Sequence, residues 1–190
     1  MELMEILKSI NWVDIVVLLI AIRIFYVSAQ TGFVVEFLKT LALLLALMVS
    51  FHFYTALSGV VQKTIIPPTL LAAAAFAFLW VMTLLVCKFS RDGLLMLFSV
   101  KAENAVDKWG AVVIAVGRLV LTASMLMFLF LASGQKYLQT MTLSSLSGRH
   151  VLLVAPVLYR EACDRFVTRL LPDQKKNPAV GQTLRDVIKK

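Results

Sequence analysis

The sequence predicts an all-α, polytopic integral membrane protein: four transmembrane helices, an interfacial connector and a C-terminal amphipathic helix. Three observations carry this. Four long apolar stretches, at about 12–28, 33–54, 70–87 and 111–132, fill most of the 190 residues. The apolar fraction is 60% and the mean hydropathy +0.86, against about 45–50% apolar residues in soluble domains. The few charges inside or beside those stretches are Asp14, Arg23, Glu36, Lys39 and Arg118. A bilayer core accepts about 20 apolar residues as a helix, and an ionisable group at that depth needs a partner, a water path or a headgroup. These five residues are the candidate functional or structural charges.

The first helix opens at Asn11, a good N-cap, with Trp12 suited to the interface and Asp14 near the helix start. The leader MELMEILKSIN holds two acids and one Lys. A cleaved secretory signal opens with positive charge, so the stretch reads as a retained span, although Val27-Ser28-Ala29 imitates a cleavage site. Asp14 and Arg23 are ~13 Å apart along a helix axis, too far to pair. Arg23 is left to snorkel toward headgroups or to pair with another helix.

Gln30-Thr31-Gly32 makes a tight connection to the second helix, where Glu36 and Lys39 share a face. A short turn implies an antiparallel hairpin. It sets Arg23 near the depth of Glu36, so an Arg23–Glu36 pair with Lys39 close by is expected. Pro67-Pro68 stops the loop before the third helix. There Ala72–Ala75 and Ala77 give a smooth surface for close approach. The third span is expected to end at Cys87-Lys88. The apolar run 94–98 beyond it is too short to span, so a separate interfacial or half-inserted connector is expected, flanked by Arg91 and Lys101. On the fourth helix Gly110, Gly117 and Ser124 recur every seven residues as a helix-packing stripe, and Arg118 follows Gly117. Arg118 is placed to line an oligomeric pore or to bind Glu36 or Asp107 of the same or a neighbouring chain, an intrahelical Asp107 pair being excluded by length.

The four spans make one transmembrane domain, residues 1–134. Residues 135–172 read as a loop and an amphipathic interfacial helix, the latter over about 151–171. Pro156 near its start sets the preceding VLLVA apart. Arg160, Arg165 and Arg169 mark its lipid-facing polar side, and 173–190 read as a basic tail, mobile or only locally helical. Residues 149–190 hold nine Lys/Arg and four Asp/Glu, a net +5 out of the total of +8. On a membrane protein such charge meets anionic lipid headgroups rather than nucleic acid. Counting cations close to the spans puts the third connection in the cytoplasm and both termini outside, and counting the tail weakens or reverses this.

Cys87 and Cys163 fit no metal spacing and read as small apolar fillers. His52 and His150 are too few and too separated for a metal site. Ser144, Ser145 and Ser147 have no evident base nearby. Neither a cofactor nor an enzymatic activity is expected.

The segment INWVDIVVLLI, turning into GFVVEFLKTLALLLALMVSFHFY, resembles the opening of the colicin V production protein family. The matching positions are Asn11, Trp12, Asp14, Gly32, Phe33 and Glu36. A second block, AVDKWGAVVIAVGRLVL, is similar to the family's Asp-(x)2-Gly-(x)6-Gly-Arg pattern, at Asp107, Gly110, Gly117 and Arg118. The resemblance covers about residues 10–172. Thr31 and Val35 stand where the family often has basic residues, with Lys39 as partial compensation. The resemblance implies a bacterial inner-membrane protein associated with bacteriocin production and export and with envelope robustness.

Two readings of the charges follow. In a small oligomeric channel or transporter-like protein, Arg118 or Glu36 touches a wet path. In a scaffold for an export or envelope machine, the bundle is dry and fully packed and the tail docks elsewhere. Asp14 is then a proton or cation site, or simply an interfacial helix-start acid. Anionic lipids, further copies of the chain and export or envelope proteins are the expected partners.

Overall fold

The computed structural model describes residues 11–61, 67–97, 105–167 and 177–188, and every regular element among them is helical. The long helices are α1 (Trp12–Gln30), α2 (Phe33–Val60), α3 (Pro68–Leu97) and α4 (Ala105–Ala132). Each holds a segment long and apolar enough to cross a membrane. Four short helices follow: α5 (Lys136–Ser144), α6 (Leu146–Val151), α7 (Val154–Ala162) and α8 (Pro178–Ile188). A π-helical turn, Cys163–Val167, extends α7.

The four spans alternate in direction. The ends of α1 and α3 and the starts of α2 and α4 therefore share one end of the bundle, here the turn end. α4 is the central helix. It packs against α1, α2 and α3, and α2 also packs closely along α3. α1 leans on α4 more than on α2, its neighbour in sequence.

The far end of the bundle is a closed aromatic core. Phe51, Phe76 and Phe128 are fully buried with Leu47 and Met125. Phe51 meets Phe76 edge-on at 5.1 Å and Phe128 at 4.6 Å. Tyr159 of α7 stacks on Phe51 at 5.4 Å. Asn177, just before α8, donates from its side-chain amide to the Phe51 carbonyl at 3.0 Å and to the Thr55 hydroxyl at 3.0 Å. The chain after the last span is thus docked over the end of α2 as part of the core. The Tyr159 hydroxyl accepts from the Asn177 backbone N–H and lies 3.2 Å from His52 Nδ1.

The structure corrects several expected boundaries. α2 runs to Val60 and α3 starts at Pro68, so both spans are longer than the apolar runs. α3 continues without a break through Ser90 to Leu97, where a separate connector was expected. Nothing in FSRDGLLML forces a stop, since Gly93 costs a helix only about 1 kcal/mol. Residues 98–104 lie outside the described residues. Of the tail helix expected over 151–171, α7 and its π-helical turn cover 154–167, with VLLVA interrupted at Leu152-Leu153 as Pro156 suggested, and 168–171 lie outside the described residues. α5 meets the helical stretch 146–165 at a bend of 81°, the geometry of a broken span or re-entrant loop. Residues 178–188 of the basic tail form a helix. Arg160 and Arg165 are exposed on the α7 side, and Arg165 lies 3.5 Å from Glu161. Arg169 lies outside the described residues.

Candidate functional site

Glu36 is fully buried in the first turn of α2 and is the centre of a charge cluster. Arg118 Nη2 of α4 lies 2.7 Å from its Oε1, and Lys39 Nζ lies 3.0 Å from its Oε2. The Arg118 contact is short but not aligned as a hydrogen bond, so Glu36 Oε1 is held by charge, and Arg118 Nε is buried with no hydrogen-bond partner. The Thr31 hydroxyl lies 3.2 Å from Glu36 Oε2 and accepts from Lys39 Nζ at 3.2 Å. Lys39 reaches back to supply a cation beside the turn.

The expected Arg23–Glu36 pair is replaced by Arg118–Glu36, for two physical reasons. First, α1 packs on α4 and stands away from α2. Second, helical side chains lean toward their own N-terminus. Arg23 on α1 leans away from the turn end, and Glu36 on α2 leans toward it. Arg118 sits eleven residues into its span from Asp107, about 16 Å at 1.5 Å per residue. It also leans toward the turn end, and this brings its guanidinium up to Glu36. Asp107 marks the level of the α2 start, accepting from the Phe33 N–H at 2.9 Å.

Around this cluster lies a cavity of about 360 Å³. Its cations are Arg23, Lys39, Lys88, Arg91 and Arg118. Ile20, Ile24, Ala42, Leu43 and Leu84 supply an aliphatic wall, and Cys87 also faces it. Two carboxylates lie among these cations: Glu36 beneath Lys39 and Arg118, and Asp92, which pairs with Arg91 at 2.7 Å. Arg23 and Lys88 are exposed. The cavity stops at Leu43, which also belongs to the aromatic core. Lys88 and Arg91, expected on a loop and an interfacial connector, are brought in because α3 continues as a helix past Cys87. No interruption of the apolar pattern revealed that continuation.

Asp14 plays a different part. Its Oδ2 accepts from the Asn11 N–H at 3.0 Å and closes a capping box. The same carboxylate also caps α6, accepting from the Ser147 N–H at 2.8 Å, the Ser147 hydroxyl at 2.7 Å and the Leu146 N–H at 3.2 Å. Asn11 Nδ2 donates to the Met141 carbonyl at 3.1 Å. Asn11 and Asp14 thus clasp the α5–α6 bend to the start of α1, and Asp14 lies outside the charged cavity. Gly148 completes the bend, because a Cβ there would collide with the Thr142 carbonyl. The bend itself was not legible: Ser145 and Gly148 look like ordinary loop residues in sequence.

The small-residue stripe divides into three roles. A Cβ on Gly110 would meet the Phe33 ring at 2.8 Å, so this glycine seats the start of α2 on α4. Ser124 is buried, donating to the Leu152 carbonyl at 2.9 Å and accepting from the Ala155 N–H at 2.8 Å. Gly117 faces open space. Cys87 is a free thiol, and Cys163 lies inside the aromatic core. Among the described residues no three of His, Cys, Asp and Glu gather as metal ligands.

A family model described as colicin V production protein matches residues 13–156. No curated protein and no solved structure matches the chain.

Proposed function

Starting from the fact that the chain belongs to the colicin V production protein family, we propose that it acts in the bacterial cytoplasmic membrane in bacteriocin production and export and in envelope homeostasis, as a small transporter-like protein whose working part is the cationic cavity. The observation that carries this reading is the buried Glu36 holding Arg118 and Lys39 beside a cavity lined by five cations. Burying one acid between two bases is costly in lipid, and a bundle needed only for packing has no use for it. The cations at this end favour placing it in the cytoplasm, with the last span ending outside.

The cavity ends against Leu43 and the aromatic core behind it. Conduction therefore requires either a path between copies of the chain or an opening of that core, which is why a homo-oligomer belongs to the proposal. The same dry core, with the tail docked on it, favours a second reading: a non-conducting scaffold for an export or envelope machine. The exposed Arg160 and Arg165 suit anionic headgroups or an acidic partner.

The deciding experiment is conductance of the purified protein in planar bilayers, with and without tension, using Arg118→Leu for comparison. Discrete currents altered by that substitution support the transporter-like reading. Silence from inserted, oligomeric protein overturns it in favour of the scaffold.

A further inference from the structure

We propose that the cavity at the turn end is a binding site for a phosphate-bearing anion. Five cations face a space of about 360 Å³, and among the described residues the carboxylates that pair with any of them are Glu36 and Asp92. Five positive charges against two negative leaves +3 among these groups. Where these cations converge on one space the excess is repulsive, and a bound anion offsets it. The Arg118 Nε–H, buried and without a hydrogen-bond partner, is a donor still to be satisfied.

The donor chemistry selects phosphate. Arginine recognises tetrahedral oxyanions through its planar fork, and lysine adds compact charge beside it. The volume lies within the ordinary range for small-ligand sites, about 300–1,000 Å³, so there is room for an ester substituent. The aliphatic wall of Ile20, Ile24 and Leu84 suits an apolar substituent. Glu36 does not oppose binding, because both its oxygens face Lys39 and Arg118, which it holds in place. Two sources supply this chemistry: the headgroup of an anionic phospholipid and a phosphate-bearing solute. The inference deepens the reading of the cavity as the working part and rests on it. Binding is measured at equilibrium without current, so failure to bind and failure to conduct are separate results.

The test uses the full-length protein. Native mass spectrometry after exchange into phosphatidylglycerol or phosphatidylcholine nanodiscs reads lipid retention, and equilibrium dialysis of delipidated protein reads inorganic phosphate. Retention of phosphatidylglycerol over phosphatidylcholine assigns the site to a headgroup. Binding of inorganic phosphate alone assigns it to a solute. Arg23→Gln with Lys88→Gln removes two exposed cations that have no ion pair among the described residues, and weakens either ligand by at least about tenfold. A second reading needs no variant. Cys87 faces the cavity while Cys163 is buried, so a bound ligand slows Cys87 alkylation. The proposal is overturned if neither ligand binds, if the double variant binds as well as the parent, or if a bound ligand leaves Cys87 alkylation unchanged.

Discussion

The two ends of this bundle are built from helices of similar hydropathy, yet they close in opposite ways. At the far end Phe51, Phe76, Phe128 and Tyr159 interlock, and the chain beyond the last span folds over them. At the turn end Glu36, Lys39 and Arg118 hold a polar cluster beside an open cavity. Aromatic rings fill space with dispersion contacts and need no partner outside the chain. Guanidinium and ammonium groups in the same apolar setting require counter-charge. One end can therefore be completed by the chain alone, whereas at the other the cations outnumber the carboxylates paired with them among the described residues.

The sharpest way to break this contrast is to remove the acid at the charged end. Glu36→Leu leaves the part-buried Arg118 and Lys39 as neighbouring like charges without their acid. The expected loss is about 3–5 kcal/mol, the usual cost of breaking a buried ion pair from one side, read as denaturant or thermal unfolding of the purified protein. A double-mutant cycle identifies the partner. Glu36→Gln combined with Arg118→Gln costs less than the sum of the single changes, by about 1–2 kcal/mol. Glu36→Gln combined with Arg23→Gln is additive. Coupling in the second cycle and not in the first would restore the hairpin pair suggested by sequence order and sink the assignment made here.

A change at the aromatic end is nearly as large but differs in kind. Phe51→Ala opens a void among Phe76, Phe128 and Tyr159, costing about 3 kcal/mol. It leaves the cations of the cavity in place, so anion binding at a temperature where the variant is folded stays at the parental level. If binding falls with stability, the two ends are one cooperative unit and the contrast fails.

How far these ends could be read in advance differs for physical reasons. Four spans were legible because runs of apolar residues near 20 long have few alternatives. The charged residues were legible as anomalies, because lipid makes each one conspicuous. Their pairing was legible only as a set of options, with Arg23–Glu36 preferred and Arg118–Glu36 among the others. Sequence order favours the hairpin neighbours α1 and α2, whereas Arg118 reaches Glu36 from α4, 82 positions along the chain. Helix direction was the available signal, because Arg118 and Glu36 lean toward the same end and Arg23 leans the other way. The docked tail was hidden for another reason: Tyr159 was legible on the apolar side of its helix, but the partner of that side was not, and Asn177 in a basic tail looks like a surface residue.

A moderate effect is expected at the clasp. Asp14→Ala removes acceptors from Asn11, Leu146 and Ser147 together. Loss of a cap costs about 1–2 kcal/mol, and here the cost appears first as faster amide hydrogen exchange in α6, while the cavity residues keep their protection. Uniform loss of protection over the whole chain would mean that Asp14 acts beyond the bend.

The smallest expected effect separates one copy of the chain from several. Gly117 lies next to Arg118, yet nothing of its own chain approaches the position where a Cβ would stand. In an isolated chain Gly117→Ala is therefore neutral or slightly stabilising, by up to about 1 kcal/mol, because alanine favours the helix. Gly110→Ala must instead displace the Phe33 ring and is destabilising by comparison. If copies of the chain meet along this face, the order reverses: Gly117→Ala then disrupts the assembly because small residues allow close helix approach. The measurement is the assembly size of both variants by light scattering in detergent, set beside their unfolding midpoints. A smaller assembly only for Gly117→Ala places the contact between copies beside Arg118, where a shared path through the charged end has to run. An unchanged assembly leaves the cavity as a feature of each copy by itself, and any path between copies then has to run along another face.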